Sequence, residues 1–399
     1  MGLRATSTAS VITAVLVMAL SGCSADEPAE TSNVAVKVGQ SEGALNLVAL
    51  PGYIENGGSD PRVDWVGPFE ERTGCKVSWR TLKNGRDMAD FVKKNTRFDG
   101  VAAPPEVAGQ LIAGGRAAPI NADLVDGYTK LEPRLRQLMR KDGTVYGVPF
   151  VWGSNQLIYN TGSVQPAPTS WAALYDPDEA KRYSQKLVVH DSPLSIAEAA
   201  LYLKTKDRKL KITDPYSLTR KQLDAVTRVL TKQRPHVKDY WDQPAESVSA
   251  LAGGDATMGG VWPYQIDVLT RAGKPLQGAV PSEGVTGWVN AWMIGNRVEN
   301  PNCMYQWLRW TASTEVQQQV ADWNGVAPAS PHACTAGGLR PSLCAANHVG
   351  EREFINKVIF AHVPAKTCAS TGGEAGRRDC TDYAEWTQAW IKATKSVKR

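Results

Sequence analysis

From residue 45 to residue 113 short apolar runs alternate with amphipathic segments, and that alternation limits the fold more than any other feature of the chain. Residues 45–50 (LNLVAL) suit a buried strand. Residues 63–73 carry apolar side chains at helical spacing and stop at Gly74, a helix C-cap signal. Residues 76–79 alternate as a strand, 88–95 read as a helix, 98–103 as a strand ending at Pro104-Pro105, and 107–113 as a helix stopped by Gly114-Gly115. Strands joined through helices cannot be hairpins, so the pattern predicts a parallel α/β sheet. Ligands of such sheets sit beyond the carboxyl ends of the strands. Here those ends are residues 51–53 and 104–106.

The alternation continues for most of the chain. Residues 146–160 (YGVPFVWGSNQLIYN) are apolar, aromatic and uncharged, as in a buried strand pair able to cross between two lobes. Strands are expected at 187–190, 256–262, from 279 and at 288–294, with helices at 195–206, 217–231, 247–252, 303–311, 315–323 and 383–395. A length of 399 residues allows about two domains. Thirteen Trp and 12 Tyr exclude a disordered chain. A net charge of +5 is too small to indicate nucleic acid, and a mean hydropathy of −0.31 excludes a polytopic membrane protein.

The N-terminus reads as an address. Arg4 precedes a ten-residue apolar run at 11–20, too short to span a bilayer and right for a signal peptide. The run leads into Leu20-Ser21-Gly22-Cys23, which resembles a bacterial lipobox with Cys23 as the lipidated residue. Residues 1–22 are thus expected to be a lipoprotein signal peptide and 23–43 a flexible, polar tether, leaving the protein exported and lipid-anchored at the extracellular face of the membrane. Six cysteines remain, Cys75, Cys303, Cys334, Cys344, Cys368 and Cys380. An even number in an exported chain implies disulfides. Spacing leaves 15 pairings open; four of the six fall after residue 330, where bridges would staple a loop-rich stretch.

Signatures of catalysis are missing: no nucleophile elbow, P-loop, dinucleotide-binding glycine motif or zinc-ligand spacing occurs. His190 beside Asp191 is the single local acid–base pair. No catalytic residue, metal or cofactor is assigned. Aromatic residues instead cluster near Gly and Pro at predicted strand ends: Tyr53, Trp152, Trp262 with Tyr264, Trp288 with Trp292, and Trp323. That placement suits a cage for apolar stems or a cation. Trp65, Trp79, Trp307, Trp310, Trp386 and Trp390 lie inside periodic segments and are expected in the core.

Several of these stretches together resemble the extracellular solute-binding lipoproteins of ABC importers, in the spermidine/putrescine-binding branch. Leu47 to Ile54 is similar to that family's first strand and Tyr-Ile loop. Phe69-Glu-Glu-Arg-Thr-Gly-Cys-Lys-Val77 is similar to its helix-to-strand turn, and Phe98-Asp99 with Val101 to its third strand. Residues 146–153 with Tyr159-Asn160 resemble its first crossing, Ser170-Trp171-Ala-Ala-Leu174 its S-W-x-x-L motif, and Pro281-Ser-Glu-Gly284 with Trp288 its second crossing. The resemblance runs in order from about residue 45 to 330.

It implies a two-lobed α/β fold of the type II periplasmic binding proteins, each lobe a mostly parallel sheet flanked by helices, with the ligand cleft at the hinge. The first lobe would comprise 44–151 with about 289–325, the second 152–288, followed by a disulfide-stapled region at 326–399 with a terminal helix. The implied protein is a monomer without enzymatic activity that captures a small polar or cationic, polyamine-like solute and delivers it to a membrane permease. The alternatives are a secreted cell-envelope enzyme or a solute sensor on the same fold. Expected solute-binding residues are Tyr53, Glu106, Trp152, Asn155, Asp191, Ser192, Trp262, Tyr264, Trp288 and Asn290. The chain departs from the polyamine binders in its charges. Ser192 and Ser195 stand where they have Asp and Glu, Asn290 where they have Asp, Pro104 and Glu106 where they have Ser and Tyr, and Leu50 where they have Trp. The adjacent Tyr-Tyr pair of the iron-binding sister class is missing.

Overall fold

The computed structural model describes residues 1–2, 35–369 and 377–395. The expected signal peptide from residue 3, Cys23 and the tether as far as residue 34 lie outside the described residues. Two sheets organise the rest. The first has seven strands in the order Ala327–Pro328, Val148–Ser154, Thr286–Ile294, Gly100–Ala103, Ala44–Ala49 and Lys76–Thr81, with Ile359–Phe360 pairing the start of Thr286–Ile294. The second has five, in the order Leu276–Ala279, Gln156–Asn160, Met258–Val261, Leu187–His190 and Val237–Trp241.

Each sheet is mixed rather than mostly parallel. Ala44–Ala49 runs parallel to both neighbours, as the alternation requires. Thr286–Ile294 runs antiparallel to Gly100–Ala103 and to Val148–Ser154. In the second sheet Leu187–His190 is parallel to both neighbours, whereas Gln156–Asn160 is antiparallel to Met258–Val261 and Leu276–Ala279. The antiparallel halves come from the crossing segments. Val148–Ser154 belongs to one sheet and Gln156–Asn160 to the other, so the chain passes between lobes at Asn155. It returns between Leu276–Ala279 and Thr286–Ile294.

Helix ends follow local chemistry. Gly74 adopts the left-handed conformation, φ 71°, and its N–H bonds to the Glu70 carbonyl, closing Val66–Thr73 as the sequence indicated. Thr219 and Gln222 form a capping box that starts Arg220–Gln233, and Asp382 with Glu385 does the same for Tyr383–Thr394. Residues 35–43 are not a free tether. The Glu42 carboxylate accepts the N–H groups of Asn302 and Cys303, two orphan donors at the start of helix Pro301–Thr311.

Each sheet has its own core. Trp65, Phe69, Phe150, Trp292 and Trp307 pack on the first, and Trp171, Tyr175, Tyr216, Trp386 and Trp390 on the second. Burying such rings is the main source of stability in each lobe. The described residues after 326 are shared between the two: Ala327–Pro328 and Ile359–Phe360 extend the first sheet, while Tyr383–Thr394 sends Trp386 and Trp390 into the second core.

The cysteines pair as Cys75–Cys303, Cys334–Cys344 and Cys368–Cys380. Two bridges do lie after residue 330. The first joins positions 228 residues apart within the first lobe. By loop entropy it contributes about 5 kcal/mol, against about 3 kcal/mol for the ten-residue separation of Cys334 and Cys344. Replacing Cys75 and Cys303 together by Ala is expected to lower unfolding free energy in denaturant titration by more than replacing Cys334 and Cys344. An equal or smaller loss contradicts this assignment of the load.

Candidate solute-binding cleft

A cavity of about 460 Å³ opens between the two sheets. From the first lobe it is lined by the strand-exit residues Pro51–Tyr53 and Pro104–Glu106, by Lys83–Arg86, and by Trp288, Asn290 and Trp323. The second lobe supplies His190, Asp191, Ser192, Asp242, Trp262 and Tyr264, and Asn155 stands at the crossing. Nine of the ten residues named from sequence line it. The exception is Trp152, which is 2 % exposed and donates its indole N–H to the Pro328 carbonyl at 3.1 Å. Strand register explains the correction. Trp152 pairs with Val289, so both share the core face, whereas Trp288 pairs with Gly153 on the opposite face. A Cβ at position 153 would lie 2.6 Å from the Trp288 ring, so glycine is what lets that ring lie flat on the strand.

The aromatic groups form one connected run. The His190 ring stacks on Trp241 at 4.5 Å, Trp241 meets Trp262 edge-on at 5.1 Å, and Trp262 meets Trp288 at 5.3 Å. Burial pushes the His190 imidazole down to about 4, so it is neutral at neutral pH. Tyr53 is buried, accepts a 2.6 Å hydrogen bond from the Asn290 amide, and is held by burial far above the usual phenol range. Burial also pushes Glu106 up to about 7. Its carboxylate lies so close to Gly85 that a Cβ there would approach it to 1.7 Å.

Sequence reasoning missed several lining groups. Asp242 follows the strand Val237–Trp241, whose VKDYW sequence gives no apolar run. Lys83 and Arg86 flank the start of helix Gly85–Lys94, where nothing in the sequence shows that they face another lobe. Tyr383 reaches the cavity from the terminal helix, and Trp390 on the same helix donates its indole N–H to Asp191 at 2.6 Å.

Behind the cavity, Glu198 ties the crossings together. It is 5 % exposed and accepts hydrogen bonds from Asn155 Nδ2 at 2.9 Å, Thr286 Oγ1 at 2.7 Å and the Tyr175 hydroxyl at 3.2 Å. Asn155 Oδ1 in turn accepts the Trp262 indole N–H at 3.0 Å. Burial pushes Glu198 from 4.5 up to about 7 against these hydrogen bonds. The fold therefore favours the protonated carboxyl: its contribution is fully present below pH 4.5 and is lost as pH rises through 7. The loss is on the order of 3 kcal/mol. Glu198→Gln keeps an acceptor and cannot ionise. Its stability relative to wild type, from denaturant unfolding, is expected to rise between pH 4.5 and 7 and level off above; a pH-independent difference contradicts the account.

Comparison with known proteins finds relatives of both the sequence and the fold. The chain is 25 % identical over 265 residues to the spermidine/putrescine-binding periplasmic protein of Salmonella typhimurium, covering 64 % of this chain and 71 % of that protein. It is 22 % identical over 332 residues to the putrescine-binding periplasmic protein SpuD of Pseudomonas aeruginosa, covering 76 % and 86 %. The crystal structure of the spermidine/putrescine ABC transporter substrate-binding protein PotD from Streptococcus pneumoniae superposes with a TM-score of 0.65 at 17 % identity, covering 88 % of this chain and 98 % of that one; its fold is two-lobed, as here. Residues 64–337 match the family described as bacterial extracellular solute-binding protein. With that match covering more than half of its length, the chain belongs to the bacterial extracellular solute-binding proteins.

Proposed function

We propose that this protein captures a small polar or cationic, amine-bearing solute in the cleft and delivers it to the permease of an ABC importer, tethered by a lipid on Cys23 and acting as a monomer. The observation that carries this reading is the cavity between the two sheets, which Trp262, Trp288 and Tyr264 line together with Glu106, Asp191 and Asp242. Indole faces attract an ammonium by cation–π contact and cover its methylene stem, while carboxylates orient it. Relatives of the same family that bind spermidine and putrescine support the amine. Delivery requires that solute close the two lobes, which then present a new surface to the permease. Among the described residues no helix is long and apolar enough to cross a membrane, which fits attachment by a lipid.

A thermal-shift screen against polyamines, amino acids and sugars tests the reading. A solute at 100 times its dissociation constant stabilises by about 2.7 kcal/mol. Amine-bearing solutes are expected to raise the melting temperature. Trp262→Ala or Trp288→Ala is expected to weaken binding by roughly 1–3 kcal/mol. Trp152→Ala is expected to lower stability while leaving affinity near wild type. Stabilisation by neutral sugars alone, or an affinity untouched by both cleft substitutions, contradicts the proposal.

A further inference from the structure

The charges in the cleft come in pairs that bridge the lobes. Lys83 Nζ lies 2.8 Å from Asp242 Oδ2, and Arg86 Nη2 lies 3.8 Å from Asp191 Oδ2. Both cations stand at the start of helix Gly85–Lys94 in the first lobe; both carboxylates follow adjacent parallel strands in the second. All four residues line the cavity. The other Asp191 oxygen already accepts the Trp390 indole N–H. His190 is neutral at neutral pH. Tyr216 and Tyr383 are held protonated by burial. Glu106, near its midpoint at neutral pH, is the remaining acid of the lining, and Arg86 acts on it too. Two cations therefore already answer two carboxylates before any solute arrives.

A diammonium entering this cleft adds two positive charges against one half-ionised carboxyl, unless it expels Lys83 and Arg86 together. Uncompensated buried charge is strongly unfavourable. Hydrogen-bond demand points the same way. Arg86 Nε and Trp288 Nε1 are buried donors without an acceptor, and Asp242 Oδ1 is a buried acceptor without a donor. A diamine offers donors only. It can satisfy Asp242 and leaves both N–H groups unmatched. A solute with an amine at one end and a carboxylate at the other brings no net charge and supplies both kinds of partner.

We propose that Arg86 is a specificity-determining residue that receives the carboxylate of an amino acid-type solute, with its amine carried on a chain of methylenes, and so selects this class over free diamines. The proposal rests on the reading that the cleft takes an amine-bearing solute. The guanidinium fork suits a carboxylate, and Arg86 lines the cavity with 34 % of its side chain exposed to receive one.

Matched solutes test it. Putrescine and 4-aminobutyrate are both four-carbon chains with one terminal amine; the second end is an amine in one and a carboxylate in the other. The five- and six-carbon pairs extend the series. Isothermal titration of the full chain is expected to show the amino acid of a pair bound at least ten-fold tighter than its diamine. Arg86→Gln is expected to lose ten-fold or more for the amino acid and none for the diamine. Arg86→Lys, which keeps the charge without the fork, should fall between. A wild-type preference for the diamine, or a preference for the amino acid that Arg86→Gln leaves intact, overturns the inference and leaves the amine reading standing. Binding of neither series overturns both.

Discussion

The buried carboxyl group of Glu198 is the contact on which the geometry of the cleft depends. The polypeptide passes between lobes at Asn155 and returns into Thr286, and those two residues are hydrogen-bonded to each other and to Glu198. Burial makes a carboxyl at this depth costly to ionise, and the three hydrogen bonds that converge on it offset that cost only in part. The same Asn155 orients Trp262 through its indole N–H. One network thus fixes where the two lobes meet and how a cleft aromatic is held, so a solute pressing on Trp262 acts on the crossing itself.

On this frame the two lobes contribute unlike chemistry. The first supplies cations, Lys83 and Arg86, together with the hydrogen-bonded pair Tyr53 and Asn290. The second supplies carboxylates, Asp191 and Asp242, beside the run of rings from His190 through Trp241 to Trp262. Electrostatic attraction across the gap favours closure even before a solute is bound, though exposed pairs of this kind contribute about 0–1 kcal/mol each. In the function proposed above, solute supplies the rest of the closure energy through burial against the rings.

Much of this was legible in the chain because local pattern and tertiary role coincide. The strand–helix alternation after residue 45 and the long uncharged segment at 146–160 are signals a sheet and a crossing require, and both occur where expected. Residues at strand exits next to Gly or Pro, such as Tyr53, Glu106 and Trp262, could be assigned to the cleft because parallel topology fixes which end faces the ligand. What escaped depends on long-range register. Trp152 and Trp288 sit in similar Gly-flanked contexts, and their opposite fates follow from a pairing with Val289 and Gly153 that no local pattern encodes. Asp242 was hidden by an edge strand with charged residues, Lys83 and Arg86 by partners more than 100 residues away along the chain, and Glu198 by partners drawn from three separate segments at Asn155, Tyr175 and Thr286. The Glu42 contact that docks residues 35–43 is likewise a long-range capping bond.

The central claim is that solute binds between the sheets, against Trp262 and Trp288. A crystal structure of the protein with its solute tests this most directly. The account predicts density for the solute within about 4.5 Å of both indole rings, with Lys83, Arg86, Asp191 and Asp242 around it. A solute seated on any other surface, with this cavity holding water alone, would contradict it.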